Sequence, residues 1–256
     1  MRPVRLLAIG WLVHLKMLSQ SVFDGLLGVL WPLFFATVAF FMFRAGAGGE
    51  TLVYAALGAA VMGIWSTTST TASSAMQRER WHGTLELLVT APAHFALVLL
   101  PVTIAMSTVG LYSMTATLLW GRLGFGIEVD VERPAAFAVA VVATVASIGS
   151  LGFLLAVSFV RYRTAWALGN MFEYPVWLVS GFLVPLSLFP DWVRPISWLL
   201  APTWGMTAIR EASLGESPFP DAAVCAGLGL AYVTLGVLVV ERVLKGARAD
   251  GSVTLA

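Results

Sequence analysis

Apolar runs close to the length of a bilayer crossing recur along the whole of this 256-residue chain, and nothing else in the sequence restricts its fold as strongly. A helix advances about 1.5 Å per residue, so roughly 20 mostly apolar residues cross a hydrocarbon core about 30 Å thick. We place such helices at 26–43, 52–71, 95–120, 135–159, 165–185 and 222–241. Backbone amides find no water in that core and must pair within each segment, which predicts an all-α integral membrane fold with six transmembrane helices. The chain is 59% hydrophobic and 11% charged. A soluble domain is roughly 45–50% apolar and 25% charged, and its core has no room for the excess.

Residues 4–20 alternate apolar side chains with Arg5, His14, Lys16 and Gln20, and no small-residue cleavage site follows them. They read as an N-terminal interfacial amphipathic helix that is retained rather than removed as a signal peptide. Orientation follows from the basic residues. A cytoplasmic N-terminus puts Arg2, Arg5, Lys16, Arg78, Arg80, Arg161, Arg163, Arg242, Lys245 and Arg248 inside. It leaves Arg44, Arg122, Arg133, Arg194 and Arg210 outside. Cytoplasmic segments carry the excess of Lys and Arg, so both termini are expected in the cytoplasm and the chain in the cell membrane, with lipid as its solvent. The connection at 186–221 holds Leu188, Phe189, Trp192, Ile196, Trp198, Leu199, Leu200 and Trp204, punctuated by Pro190, Pro195 and Pro202. Apolar residues interrupted by proline at a membrane edge predict short re-entrant helices over 186–206.

Several chemistries lack their residues. There is no G-x-x-x-x-G-K-[ST] loop, and neither Lys16 nor Lys245 follows such a glycine pattern. The chain is therefore not expected to bind nucleotide itself. His14, His82 and His94 are dispersed and Cys225 is the lone cysteine, which offers no metal site and no internal disulfide. A net charge of +1 with scattered basic residues gives no face for nucleic acid.

Four polar features remain. Met76–Pro92 runs from the charged Gln77–Arg80 across Gly83 into Thr84–Val89, and is either a solvated basic loop or a surface for a soluble partner. Glu173 lies about halfway across the fifth span, with Asn170 and Tyr174 close by and Pro175 after it. A carboxylate at that depth is costly, so it is either a polar site on a transport path or subunit contact, or a structural group bonded to a neighbouring helix. The Ser/Thr tract from Ser66 to Ser74 either packs helices or lines a path. Glu128, Asp130 and Glu132 alternate without further ligands and read as a solvated acidic loop.

Glu79-Arg80-x-x-Gly83-Thr84-Leu85-Glu86-x-Leu88 resembles the stretch after the second span of ABC-2 type permeases, the membrane subunits of ATP-binding-cassette exporters. Here Trp81-His82 replaces the usual spacing. Ser180-Gly181-x-x-x-Pro185, Pro190-x-Trp192, Pro202-Thr203-Trp204 and Ile209-Arg210 resemble that family's pattern after the fifth span. The resemblance implies a permease dimer, homo- or heteromeric, that forms the path for a drug, antibiotic, lipid or glycan. It implies two copies of a separately encoded ATPase, which bind ATP and Mg. It makes 76–92 the cytoplasmic coupling segment, with Glu79, Arg80, Gly83, Thr84 and Glu86 as the contact. Asn170, Glu173 and Tyr174 stand as candidates for the path or the dimer contact. A proton-coupled secondary transporter relaying through Glu173, and a non-transporting assembly or immunity protein, are the alternatives.

Overall fold

The computed structural model describes residues 2–20, 22–44, 49–81, 94–159 and 165–249, and every regular element among them is helical. In chain order they are α1 (Arg2–Gln20), α2 (Val22–Arg44), α3 (Gly49–Trp81), α4 (Phe95–Phe125), α5 (Pro134–Phe159) and α6 (Ala165–Val179). A 3₁₀ turn (Leu186–Leu188) follows, then α7 (Arg194–Trp198), α8 (Ala201–Ser213) and α9 (Phe219–Ala249).

Among the described residues four stretches are long and apolar enough to cross a membrane: Thr51–Ser69, Phe95–Phe125, Pro134–Ser158 and Phe219–Arg242. They fall on the expected second, third, fourth and sixth spans. The first expected span, 26–43, lies within α2, where the described apolar stretch is the shorter Val29–Arg44. The fifth, expected over 165–185, stops at Val179 after 15 residues, or about 23 Å of rise. Gly181 ends it in the left-handed region at φ +72°. The Phe182 amide returns to the Trp177 carbonyl at 3.4 Å and the Gly181 amide to Leu178 at 3.2 Å, the paired bonds of a Schellman cap.

Helix α3 lies at the centre. From Ala55 to Ser66 every residue is buried, and α2, α4, α5, α6 and α8 all pack on it. Small residues permit this closeness, as between helices generally when the surrounding solvent gives no hydrophobic drive. A Cβ added at Gly58 would meet the Phe182 carbonyl oxygen at 1.7 Å, and one at Gly110 would meet the Ile64 backbone at 2.7 Å. Trp65, Met62, Ile64, Ile148, Phe182, Met206 and Ile209 fill the main core around this helix. Helix α9 closes the bundle on α5 and α8, and α1 lies against α4 through Trp11, whose indole N–H donates to Thr108 at 3.1 Å.

The segment after α6 is built inward from the same core. Helix α8 buries Ala201, Pro202, Gly205, Met206, Ala208, Ile209 and Ala212. The Tyr232 hydroxyl of α9 donates to the Leu199 carbonyl at 2.5 Å and accepts the Ala201 amide at 3.0 Å, and Ser197 donates to the Val179 carbonyl at 2.6 Å. Its outer side is apolar and exposed, at Leu188, Trp192, Trp198 and Leu199.

Candidate functional site

The helix carrying the second expected span does not end near residue 71. It continues to Trp81, because Ala72–Trp81 holds good helix formers and neither glycine nor proline. Glu79 and Arg80 therefore occupy the last turn of a 33-residue helix rather than a separate charged cluster. Gly83, Thr84 and Glu86 lie outside the described residues.

Glu173 and the Ser/Thr tract, 107 residues apart, meet. Glu173 is 4% exposed, and its Oε1 accepts the Ser66 hydroxyl at 2.5 Å while its backbone carbonyl accepts the Trp65 indole N–H at 3.3 Å. Thr67, Thr68 and Ser69 return their hydroxyls to carbonyls of their own helix, as packing residues do. Asn170 is half-buried, whereas Tyr174 is exposed and its ring meets Trp177 edge-on at 5.1 Å. The three residues thus do not converge. Glu173 faces α3, and Tyr174 belongs to an aromatic chain that continues from Trp177 to Phe35 at 5.2 Å and from Phe35 to Trp31 at 5.4 Å. This chain joins α6 to α2 and ends on the surface at Tyr174 and Trp31. We expect Glu173→Gln to fold like the parent, since the amide oxygen can still accept from Ser66. Glu173→Ala should lose about 1–3 kcal/mol by removing this buried hydrogen bond between α6 and α3 and leaving its space unfilled. Thermal unfolding in detergent checks both, and a collapse of the Gln variant would contradict a purely structural bond.

A third polar centre combines residues that sequence reading had kept apart. The Arg210 guanidinium lies over the Tyr54 ring, 3.3 Å from its centroid. It donates to the carbonyls of Gly181 at 3.0 Å, Phe182 at 2.6 Å and Tyr54 at 3.4 Å. The Tyr54 hydroxyl also donates to Gly181, at 3.1 Å. Among the described residues no carboxylate takes part. The cation instead satisfies carbonyls just past the C-terminus of α6, where the helix dipole favours positive charge. Ile209-Arg210 and Ser180-Gly181 stood in the quoted family pattern, but Tyr54 had no signal beyond lying four residues before Gly58.

One titrating pair sits beside this joint, on α8 and the start of α9. Burial first, and the Asp221 and Glu216 carboxyls next, push Glu211 up to about 7. The folded state then holds a proton between about pH 4.5 and 7 that the unfolded chain releases, so this stabilisation is complete at the acid end and lost as pH rises through 7. We expect the thermal midpoint to fall between pH 5 and 8, and Glu211→Gln to flatten that slope. An unchanged slope in the variant would assign it elsewhere.

Cys225 is buried, its thiol toward the Ala201 carbonyl at 3.3 Å, and among the described residues no three His, Cys, Asp or Glu side chains gather as a metal site would require. With long apolar helices packed by small residues and hydroxyls, the molecule is a multi-pass helical membrane protein.

Residues 5–214 match the family model described as ABC-2 type transporter. The chain belongs to the ABC-2 type transporter family, whose members are membrane transport subunits working with an ABC ATPase. Among curated proteins it is 22% identical over 146 residues to the linearmycin resistance permease protein LnrN of Bacillus subtilis (strain 168). That match covers 54% of this chain and 38% of the relative.

Proposed function

We propose that this chain is the permease subunit of an ATP-driven exporter, crossing the cell membrane six times with both termini in the cytoplasm. Helices α2 and α6 complete the count, and the elements from Leu186 into α8 dip into the outer side without crossing. The subunit works as a dimer with a second permease and with two copies of a separate ATPase, which bind ATP and Mg. The observation that carries this reading, beyond the family itself, is α3: one helix runs from the half-buried Tyr54–Arg210 joint to Glu79 and Arg80, the start of the coupling contact that continues through Gly83, Thr84 and Glu86.

The exposed aromatic seam of α2 and α6 is the proposed dimer contact and path wall, with Tyr174 and Asn170 on it and Glu173 fixing α6 to α3 from behind. Pro175 supports this choice. It has no N–H for the Met171 carbonyl, and lipid cannot supply the missing donor whereas a second protein surface can. Cargo is a small amphiphile; the Bacillus relative is named for resistance to linearmycin, which supports an export role. Co-purification tests the whole reading. The permease should retain the ATPase, and the reconstituted pair should move an amphiphile only with ATP. Purification free of any ATPase, with transport driven by a proton gradient, would replace it with the secondary-transporter reading.

A further inference from the structure

A cavity of about 790 Å³ opens between α4, α5 and the connection at 126–133, away from the α2–α6 seam. Its size is that of small-molecule sites, roughly 300–1,000 Å³. Leu111, Met114, Leu118, Phe137 and Val141 make its walls apolar. Along α4 it extends from Leu111 to Arg122, eleven residues or about 16 Å, which is the depth of one leaflet of a hydrocarbon core about 30 Å thick. Its charged residues stand at one end only, and the hydroxyl of Thr115 on the wall is returned to the Leu111 carbonyl of its own helix. Arg122, Glu128 and Asp130 line that end, all three exposed, and among the described residues the one ion pair is elsewhere, between Arg194 and Asp191.

We propose that this groove binds a zwitterionic phospholipid with a primary-amine headgroup, one acyl chain between α4 and α5, the phosphate on Arg122 and the ammonium between Glu128 and Asp130. Charge selects this headgroup. An anionic lipid would satisfy Arg122 but leave two carboxylates facing its negative charge. A choline headgroup has no N–H to donate to them, whereas a primary ammonium offers three. The acidic loop thereby gains a role that its spacing alone did not give it.

Native mass spectrometry of the full chain tests this, with phosphatidylethanolamine, phosphatidylcholine and phosphatidylglycerol of matched chains supplied together in equal amounts. Phosphatidylethanolamine adducts should exceed each of the others by at least about fivefold. Arg122→Gln and the double variant Glu128→Gln/Asp130→Asn should each bring the three lipids near parity. Because these side chains are exposed, folding is not at stake, and unchanged tryptophan fluorescence confirms it. Leu118→Trp, which fills the groove, should reduce retained lipid of every kind. Equal retention of the three lipids by the parent, or a preference that survives both charge variants, overturns the proposal.

Discussion

Replacing Arg210 with alanine is expected to lower the thermal midpoint of the detergent-solubilised protein by roughly 6–12 °C. The Gly181 carbonyl keeps the Tyr54 hydroxyl, but the Phe182 carbonyl loses its 2.6 Å donor inside the core. Stranding a buried acceptor costs about 1–3 kcal/mol. Losing the cation from the Tyr54 ring removes about 0.5–2 kcal/mol more. A total near 3 kcal/mol, at about 2–4 °C per kcal/mol for a chain of this size, gives the stated shift. Arg210→Lys should recover less than half of it, since one ammonium cannot bridge two carbonyls as the planar fork does. Tryptophan fluorescence during heating reads the change directly. A midpoint within about 2 °C of the parent would mean that the joint is not what holds Phe182 against α3.

The second large effect should leave stability alone and remove work. Glu79→Arg reverses a charge on the last turn of α3. We expect the purified permease to unfold at the parent temperature, while amphiphile export and its stimulation of ATP hydrolysis fall at least tenfold. Reversing one charge of a docked pair commonly costs 2–5 kcal/mol, which is more than a tenfold change in binding. A compensating charge change on the ATPase surface should restore part of the activity, which distinguishes a lost contact from a damaged helix. Export and co-purification at parental levels would remove Glu79 from the coupling contact.

Much of the fold was legible because the bilayer leaves a chain so few options. Length and apolarity located the helices that carry four of the expected spans to within a few residues at most ends. The errors lie where a chain feature had to be read in three dimensions. Ser180-Gly181 was visible as part of a family pattern, but that Gly181 would turn left-handed and end α6 at Val179 depends on Trp177 and Leu178 having carbonyls free to receive the cap. The apolar run marked the span at 52–71, close to the apolar stretch Thr51–Ser69, but it carries no signal for how far α3 continues beyond it, and a helix does not stop where lipid does.

The candidate site was less legible for a different reason. Glu173 and Ser66 were each conspicuous as polar groups in apolar runs, yet hydropathy has no term for which of two distant helices will lie together. The same limit hid Tyr54 and Arg210, 156 residues apart. What the sequence did mark was demand: a carboxylate or guanidinium among apolar neighbours must find a partner, and the structure supplied Ser66 for one and backbone carbonyls for the other.

Helix α3 contains no proline, whereas α2, α4 and α6 around it carry Pro32, Pro101 and Pro175. Proline is where long helices bend. The central helix lacks the proline that three of the helices packed on it carry in their interiors. Under the proposed coupling, a displacement applied at Glu79 would reach Tyr54, about 40 Å away along the helix, as tilt or translation. Opening and closing would then belong to the proline-bearing helices α2, α4 and α6, and α3 would be the axle on which they swing.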